Sequence, residues 1–152
     1  MTLTQKETTL LSDLKSQEQI CIEKYNSYSQ MAHDPELKNL FSTLASNEQK
    51  HFDTINQILS GTEVKMPDQS PSAVQAKLTC KMSSCNDVEK KHDAYLCKDA
   101  LSMEKHVSSV YNTGVFEFTS PILRDTLAHI QKEEQNHGEQ LYNYLSCNNM
   151  YC

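Results

Sequence analysis

Only three glycines and four prolines interrupt these 152 residues, so there are few places to turn and long helices are the natural elements. Apolar residues are scarce too, at 38%, where a globular domain usually has about 45–50%. With so much Gln, Asn, Ser, Lys and Glu, that shortage excludes a broad hydrophobic interior. It implies narrow apolar seams on helices with wide polar faces. No run approaches the ~20 apolar residues that cross a bilayer, so no membrane partner is expected. The opening segment Met1–Glu7 lacks an apolar stretch, and no secretory signal is expected from it. No Cys-x-x-Cys occurs, which leaves a zinc ribbon or a thioredoxin-like motif without support. Positive charge is short as well. The net charge of −6 argues against nucleic acid as a partner and suits a cation-binding interior.

What is present is one spacing that occurs twice. Glu48 and His51 form a Glu-x-x-His element, with Glu18 thirty residues before Glu48. Glu134 and His137 form another, with Glu104 thirty residues before Glu134. A shift of 86 positions lays the first set on the second without a gap. The same shift matches Asp13 with Asp99, Tyr25 with Tyr111, Asn26 with Asn112, Pro35 with Pro121, and Leu37 with Leu123. The chain therefore reads as two copies of one helical hairpin.

Apolar periodicity supplies the helices. Helix A is expected over 4–32, with Leu10, Leu11, Leu14, Glu18, Cys21, Tyr25, Tyr28 and Ala32 on its inner stripe. Asp34-Pro35 caps and starts helix B, over 35–59, with Leu37, Phe41, Leu44, Glu48, His51, Ile55 and Leu59 inward. Residues 61–86, with Pro67 and Pro71, make a polar connection holding at most a short helix through Val74–Leu78. Helix C is expected over 87–118, its stripe being Tyr95, Ala100, Glu104, Val107, Tyr111 and Phe118. Ser120-Pro121 repeats the cap-and-proline device, and helix D follows over 121–146 before a short tail, 147–152. The expected fold is one all-α domain, an antiparallel four-helix bundle of two repeated hairpins joined by a long crossover.

Spacing turns this bundle into a site. Glu18 lies 16 residues before Asp34 and Glu48 lies 14 after it. At ~1.5 Å per residue both carboxylates stand about 21–24 Å from the turn, nearly level on antiparallel neighbours. The second hairpin repeats this from Ser120, and each His sits three residues beyond its Glu on the same face. Glu18, Glu48, His51, Glu104, Glu134 and His137 should then share one layer. Four buried carboxylates without a counter-charge cost several kcal/mol each, and two divalent ions cancel their charge. Carboxylate oxygens with one imidazole per ion suit iron first, with manganese or zinc as alternatives. Glu48 and Glu134 would bridge, and Glu18 and Glu104 would be terminal. An intact but empty or inert site is the plainer alternative.

Tyr25 and Tyr111, seven residues after a ligand Glu, fall on the same stripe. They are either hydrogen-bond partners or one-electron participants for the ligands, or simply core aromatics. His33, His92, His106 and His129 read as surface residues. Six cysteines divide by place. Cys21 and Cys97 fall inward as small apolar fillers. Cys80, Cys85, Cys147 and Cys152 fall in the crossover and tail, where disulfides, soft-metal binding, links between molecules or plain thiols are all open.

The paired Glu…Glu-x-x-His hairpins resemble the ferritin-like superfamily, and within it the rubrerythrin-type bundles. Several stretches more closely resemble the spore coat protein F family of endospore-forming bacteria. These are residues 16–25 (SQEQICIEKY), 34–41 (DPELKNLF) with 47–51 (NEQKH), Glu117-Phe118 with Pro121, residues 129–144 (HIQKEEQNHGEQLYNY), and Met150-Tyr151 in the tail. The resemblance implies a ferritin-like fold. It also implies a spore coat or exosporium component, made in the mother cell, that associates with its own copies and with other coat proteins. No rubredoxin-like Cys-x-x-Cys module is present to deliver electrons. A structural role carrying a di-metal site is therefore expected ahead of the alternative, a rubrerythrin-type di-iron or manganese oxidoreductase acting as peroxide scavenger or ferroxidase.

Overall fold

The structure, a computed structural model, describes residues 2–64 and 81–151. Four helices order the chain: α1 (Gln5–Met31), α2 (Pro35–Leu59), α3 (Asp87–Glu117) and α4 (Pro121–Cys147). Each start is chemically marked. The Thr4 side chain accepts from Glu7 N while the Glu7 carboxylate accepts from Thr4 N, a reciprocal capping box, and Asn86 and Glu89 do the same for α3. Asp34 and Ser120 cap α2 and α4, each with a proline at the first helical position. Gly61, at φ +78°, takes the left-handed conformation just past α2 that a side chain would oppose.

The helices pack as two antiparallel hairpins, α1–α2 and α3–α4, in a four-helix bundle. The apolar seams meet in two clusters. One lies towards the α1–α2 turn and includes Tyr25, Leu37, Phe41, Leu44, Leu96, Cys97, Ala100, Leu141, Tyr144 and Leu145. The other lies towards the α3–α4 turn and includes Leu11, Leu14, Cys21, Ile55, Ile58, Val107, Tyr111, Leu123, Leu127 and Ile130. The end of α2 lies beside the second cluster and the start of α3 beside the first, at opposite ends of the bundle. The helix expected through Val74–Leu78, together with Pro67, Pro71, Cys80 and Cys152, lies outside the described residues.

Two expectations need correction. Tyr95 is not on the inner stripe of α3, since it is 69% exposed while Leu96 and Cys97 are buried. It stands nine residues before Glu104, about two and a half helical turns, which places it on the opposite face. Cys85 is a free thiol, as are Cys21 and Cys97, so a local Cys80–Cys85 disulfide is excluded. Cys147 is disulfide-bonded, to a partner outside the described residues.

Each turn is tied down from the opposite hairpin by an acidic side chain. Asp93 on α3 accepts from the backbone N–H groups of His33 and Asp34, both at 2.8 Å. Glu7 on α1 accepts from Thr119 N at 3.0 Å and Thr119 Oγ1 at 3.1 Å. Glu7 and Asp93 are themselves 86 positions apart, as are His33 and Thr119. The repeat thus extends to how the hairpins grip one another.

Candidate metal centre

Between the two apolar clusters the seam turns polar. Glu18, Glu48, His51, Glu104, Glu134 and His137 are all buried there. Helix period brings them inward, and the antiparallel pairing brings them level. Among the described residues their donor atoms form two overlapping groups, Glu18–Glu48–His51–Glu134 and Glu48–Glu104–Glu134–His137, each with all four atoms within 4.8 Å of one another. Glu48 and Glu134 belong to both groups, so these two can reach both halves of the centre. The imidazoles stack with ring centres 5.6 Å apart.

Burial and hydrogen bonding push these groups in opposite directions. Glu48 sits between the rings, with His51 Nδ1 at 3.0 Å from one oxygen and His137 Nδ1 at 3.0 Å from the other. Burial pushes the Glu48 carboxyl up, but the bonds from His137 and His51 outweigh it and hold the group well below the usual range. Burial pushes Glu134 up as well, but the closeness of the His137 and His51 rings outweighs it and lowers the group. Burial opposes charge on His51 and His137 too. Their carboxylate neighbours outweigh it and raise both rings well above the ordinary imidazole value. Glu18 and Glu104 go the other way, raised by burial first and by the charges of Glu134 and Glu48 next.

Tyrosines close the layer from the opposite hairpins. Tyr25 donates to Glu104 Oε1 and Tyr111 donates to Glu18 Oε1, both in short hydrogen bonds. Burial in this acidic surround raises both phenols. Cys21 is buried beside the layer, and its thiol is pushed well up by burial and then by the nearby carboxylates, which keeps it neutral.

A metal pair fits the donor set. Glu18 Oε2, Glu104 Oε2 and both oxygens of Glu134 are fully buried with no hydrogen-bond partner. His51 Nδ1 does lie 2.9 Å from Glu134 Oε1. The same nitrogen lies 3.0 Å from Glu48 Oε2, and one N–H cannot satisfy both carboxylates. Carboxylate oxygens left without a donor in a dry interior are costly, and a cation satisfies them.

The spacing argument missed the residues behind the rings. His51 Nε2 lies 2.9 Å from Glu133 Oε2. His137 Nε2 lies 3.4 Å from Asn47 Nδ2. Asn47 and Glu133 are again 86 positions apart and each immediately precedes a glutamate of the layer, a signal visible in the repeat once unlike residues are compared. Of the four histidines expected at the surface, His33 and His106 are exposed, while His92 and His129 are half-buried.

No curated protein is found to be similar in sequence. Residues 92–151, most of α3 with all of α4 and the tail, match the family described as Coat F domain. Among solved structures, the fold is similar to a two-domain protein from Anabaena variabilis containing DJ-1/ThiJ/PfpI-like and ferritin-like domains, with a TM-score of 0.72 at 20% identity. The match covers 99% of this chain and spans 39% of that one. At that identity the likeness speaks for the fold, which is that of a ferritin-like four-helix bundle. Among the described residues no helix is long and apolar enough to cross a membrane.

Proposed function

We propose, from the match of residues 92–151 to the Coat F domain, a structural protein of the spore coat or exosporium that self-associates and holds two metal ions at mid-bundle. The family match carries the coat assignment. Four buried carboxylate oxygens without hydrogen-bond donors support the metal site. Glu48 and Glu134 would bridge the ions. Glu18 with His51, and Glu104 with His137, would complete the two ends. Iron leads for this oxygen-rich set, ahead of manganese and zinc. Cys85, a free and partly exposed thiol at the start of the second hairpin, would add links between molecules and to other coat proteins, whereas Cys147 is already disulfide-bonded.

A labelled copy of the protein is expected to form a shell around the developing spore, and spore extracts should show multimers that reducing agent dissolves. Label confined to the mother-cell cytosol, with monomer alone on both gels, would sink the structural role. Elemental analysis of the purified chain should find two ions per molecule, lost when Glu48 is replaced by Gln.

A second reading, a di-metal oxidoreductase, is favoured by the tyrosine hydroxyls set against Glu18 and Glu104. Bound redox metals would supply one-electron chemistry at this layer. The chain's own part would be to exclude water with its two apolar clusters and to hold phenolic protons against the terminal carboxylates. Peroxide consumption by the loaded protein, lost in Tyr111→Phe with metal content kept, would support it. No turnover above free metal would remove it.

A further inference from the structure

The two ends of this centre are built from repeated residues, yet the groups behind the two rings differ in kind. We infer that the halves are unequal cation sites, and that Glu133 is the positioning residue that makes the His51 half the tighter one. This rests on the di-metal reading of the layer.

An imidazole that gives its Nδ1 lone pair to a cation must keep its proton on Nε2, and the group facing Nε2 decides whether it does. For His51 that group is the Glu133 carboxylate, an acceptor with no hydrogen to offer, 2.9 Å away. The proton is held on Nε2, and Nδ1 is aimed at Glu48 and Glu134, inside the first donor group. For His137 the facing atom is the Asn47 amide nitrogen at 3.4 Å, a donor. That neighbour offers a ring N–H no acceptor, so nothing holds the proton on Nε2 when Nδ1, the atom that faces Glu48 Oε1, turns to a cation. Before His137 can ligate, the Asn47 amide has to turn over, giving up its oxygen's 3.4 Å contact with Lys50 Nζ.

Charge acts in the same direction. A carboxylate behind His51 strengthens the ring as a donor, whereas the other half has a neutral amide with a lysine beyond it. Glu133 is 40% exposed and has His129 Nε2 at 3.7 Å from the same oxygen. Its long-range charge is therefore partly screened, and its main effect is to fix the tautomer and orientation of the ring.

The test titrates the full-length chain, stripped with chelator, with Co2+ alone, followed by calorimetry. Crystals at one equivalent are read by anomalous scattering. The first ion is expected on the side of Glu18 and His51. Glu133→Gln should weaken the first step by about 10–100-fold and leave the second within roughly twofold. Asn47→Asp, which leaves Glu133 in place, should tighten the second step by about tenfold or more. Thermal melting of the stripped variants confirms folding. Equal occupancy of both sides at one equivalent, or a Glu133→Gln variant that weakens both steps alike, overturns the inference. A natural-sequence protein that takes up no Co2+ overturns the di-metal reading itself, and this inference with it.

Discussion

Glu18 and Glu48 are both buried glutamates one helix apart, and they should answer the same substitution in opposite ways. Glu48 is an anion held between two imidazoles, so Glu48→Gln leaves two rings without their carboxylate. Removing one partner of a buried pair in this way is expected to cost about 3–5 kcal/mol in urea unfolding of the chelator-treated protein. Glu18 is pushed towards its neutral form by burial and by the charges of Glu134 and Glu48. Glu18→Gln keeps the shape and the acceptor for Tyr111, and should change stability by less than about 1 kcal/mol. Both variants should lose metal. Equal destabilisation by the two substitutions would contradict the charge assignment made here.

At the level of helices and turns, the grip of Glu7 and Asp93 on the opposite hairpin sets how firmly the halves join. Glu7 takes bonds from the backbone of Thr4 and Thr119, then from their hydroxyls, and its carboxyl is lowered from 4.5 to about 2. A depressed carboxyl contributes stability that is complete above 4.5 and fades as pH falls towards 2. Glu7→Gln should therefore cost roughly 1–3 kcal/mol at neutral pH. The gap between variant and natural protein should narrow on acidification, as followed by circular dichroism. A gap that is independent of pH would mean that Glu7 acts only by shape. Helix starts and inner stripes were legible in the sequence because they are local: Asp34-Pro35 and Ser120-Pro121 announce themselves, and Leu37, Leu44 and Leu127 recur at helical spacing. Tyr95 misleads because its aromatic ring suggests burial, while its angle on α3 turns it to solvent. The ties made by Glu7 and Asp93 could not be seen, since their partners are backbone N–H groups across the bundle, and backbone leaves no mark in residue type. The six centre residues were visible only because a duplication repeated them. Asn47 and Glu133 escaped because the duplication changed one of them.

For the molecule as a whole, the proposed metal centre would couple protons to cations. Glu18, Glu104, His51 and His137 all bind protons more tightly in the folded state than their ordinary values of 4.5 and 6.5 would give. A raised folded value means that stability is greatest at low pH, other groups aside, and is lost as pH rises through the folded range. The chelator-treated protein should accordingly melt at falling temperature as pH is raised above 6.5. The loaded protein should hold its melting temperature, because cations replace those protons. Loading should release up to about four protons per two ions, and affinity should climb with pH. Calorimetry in buffers of different ionisation enthalpy measures the release directly. Parallel melting curves with and without chelator would contradict the linkage.

The two apolar clusters do not merge, because the polar layer lies between them, and among the described residues Met103 is the side chain that packs against both. Each end of the barrel-shaped stack is thus a small oily plug of its own, joined to its twin through an ionic waist. Without cations to neutralise it, the waist is the place where the molecule should come apart. Amide hydrogens flanking Glu48 and Glu134 should then exchange sooner than those at either plug, and a single sharp melting transition should broaden towards two.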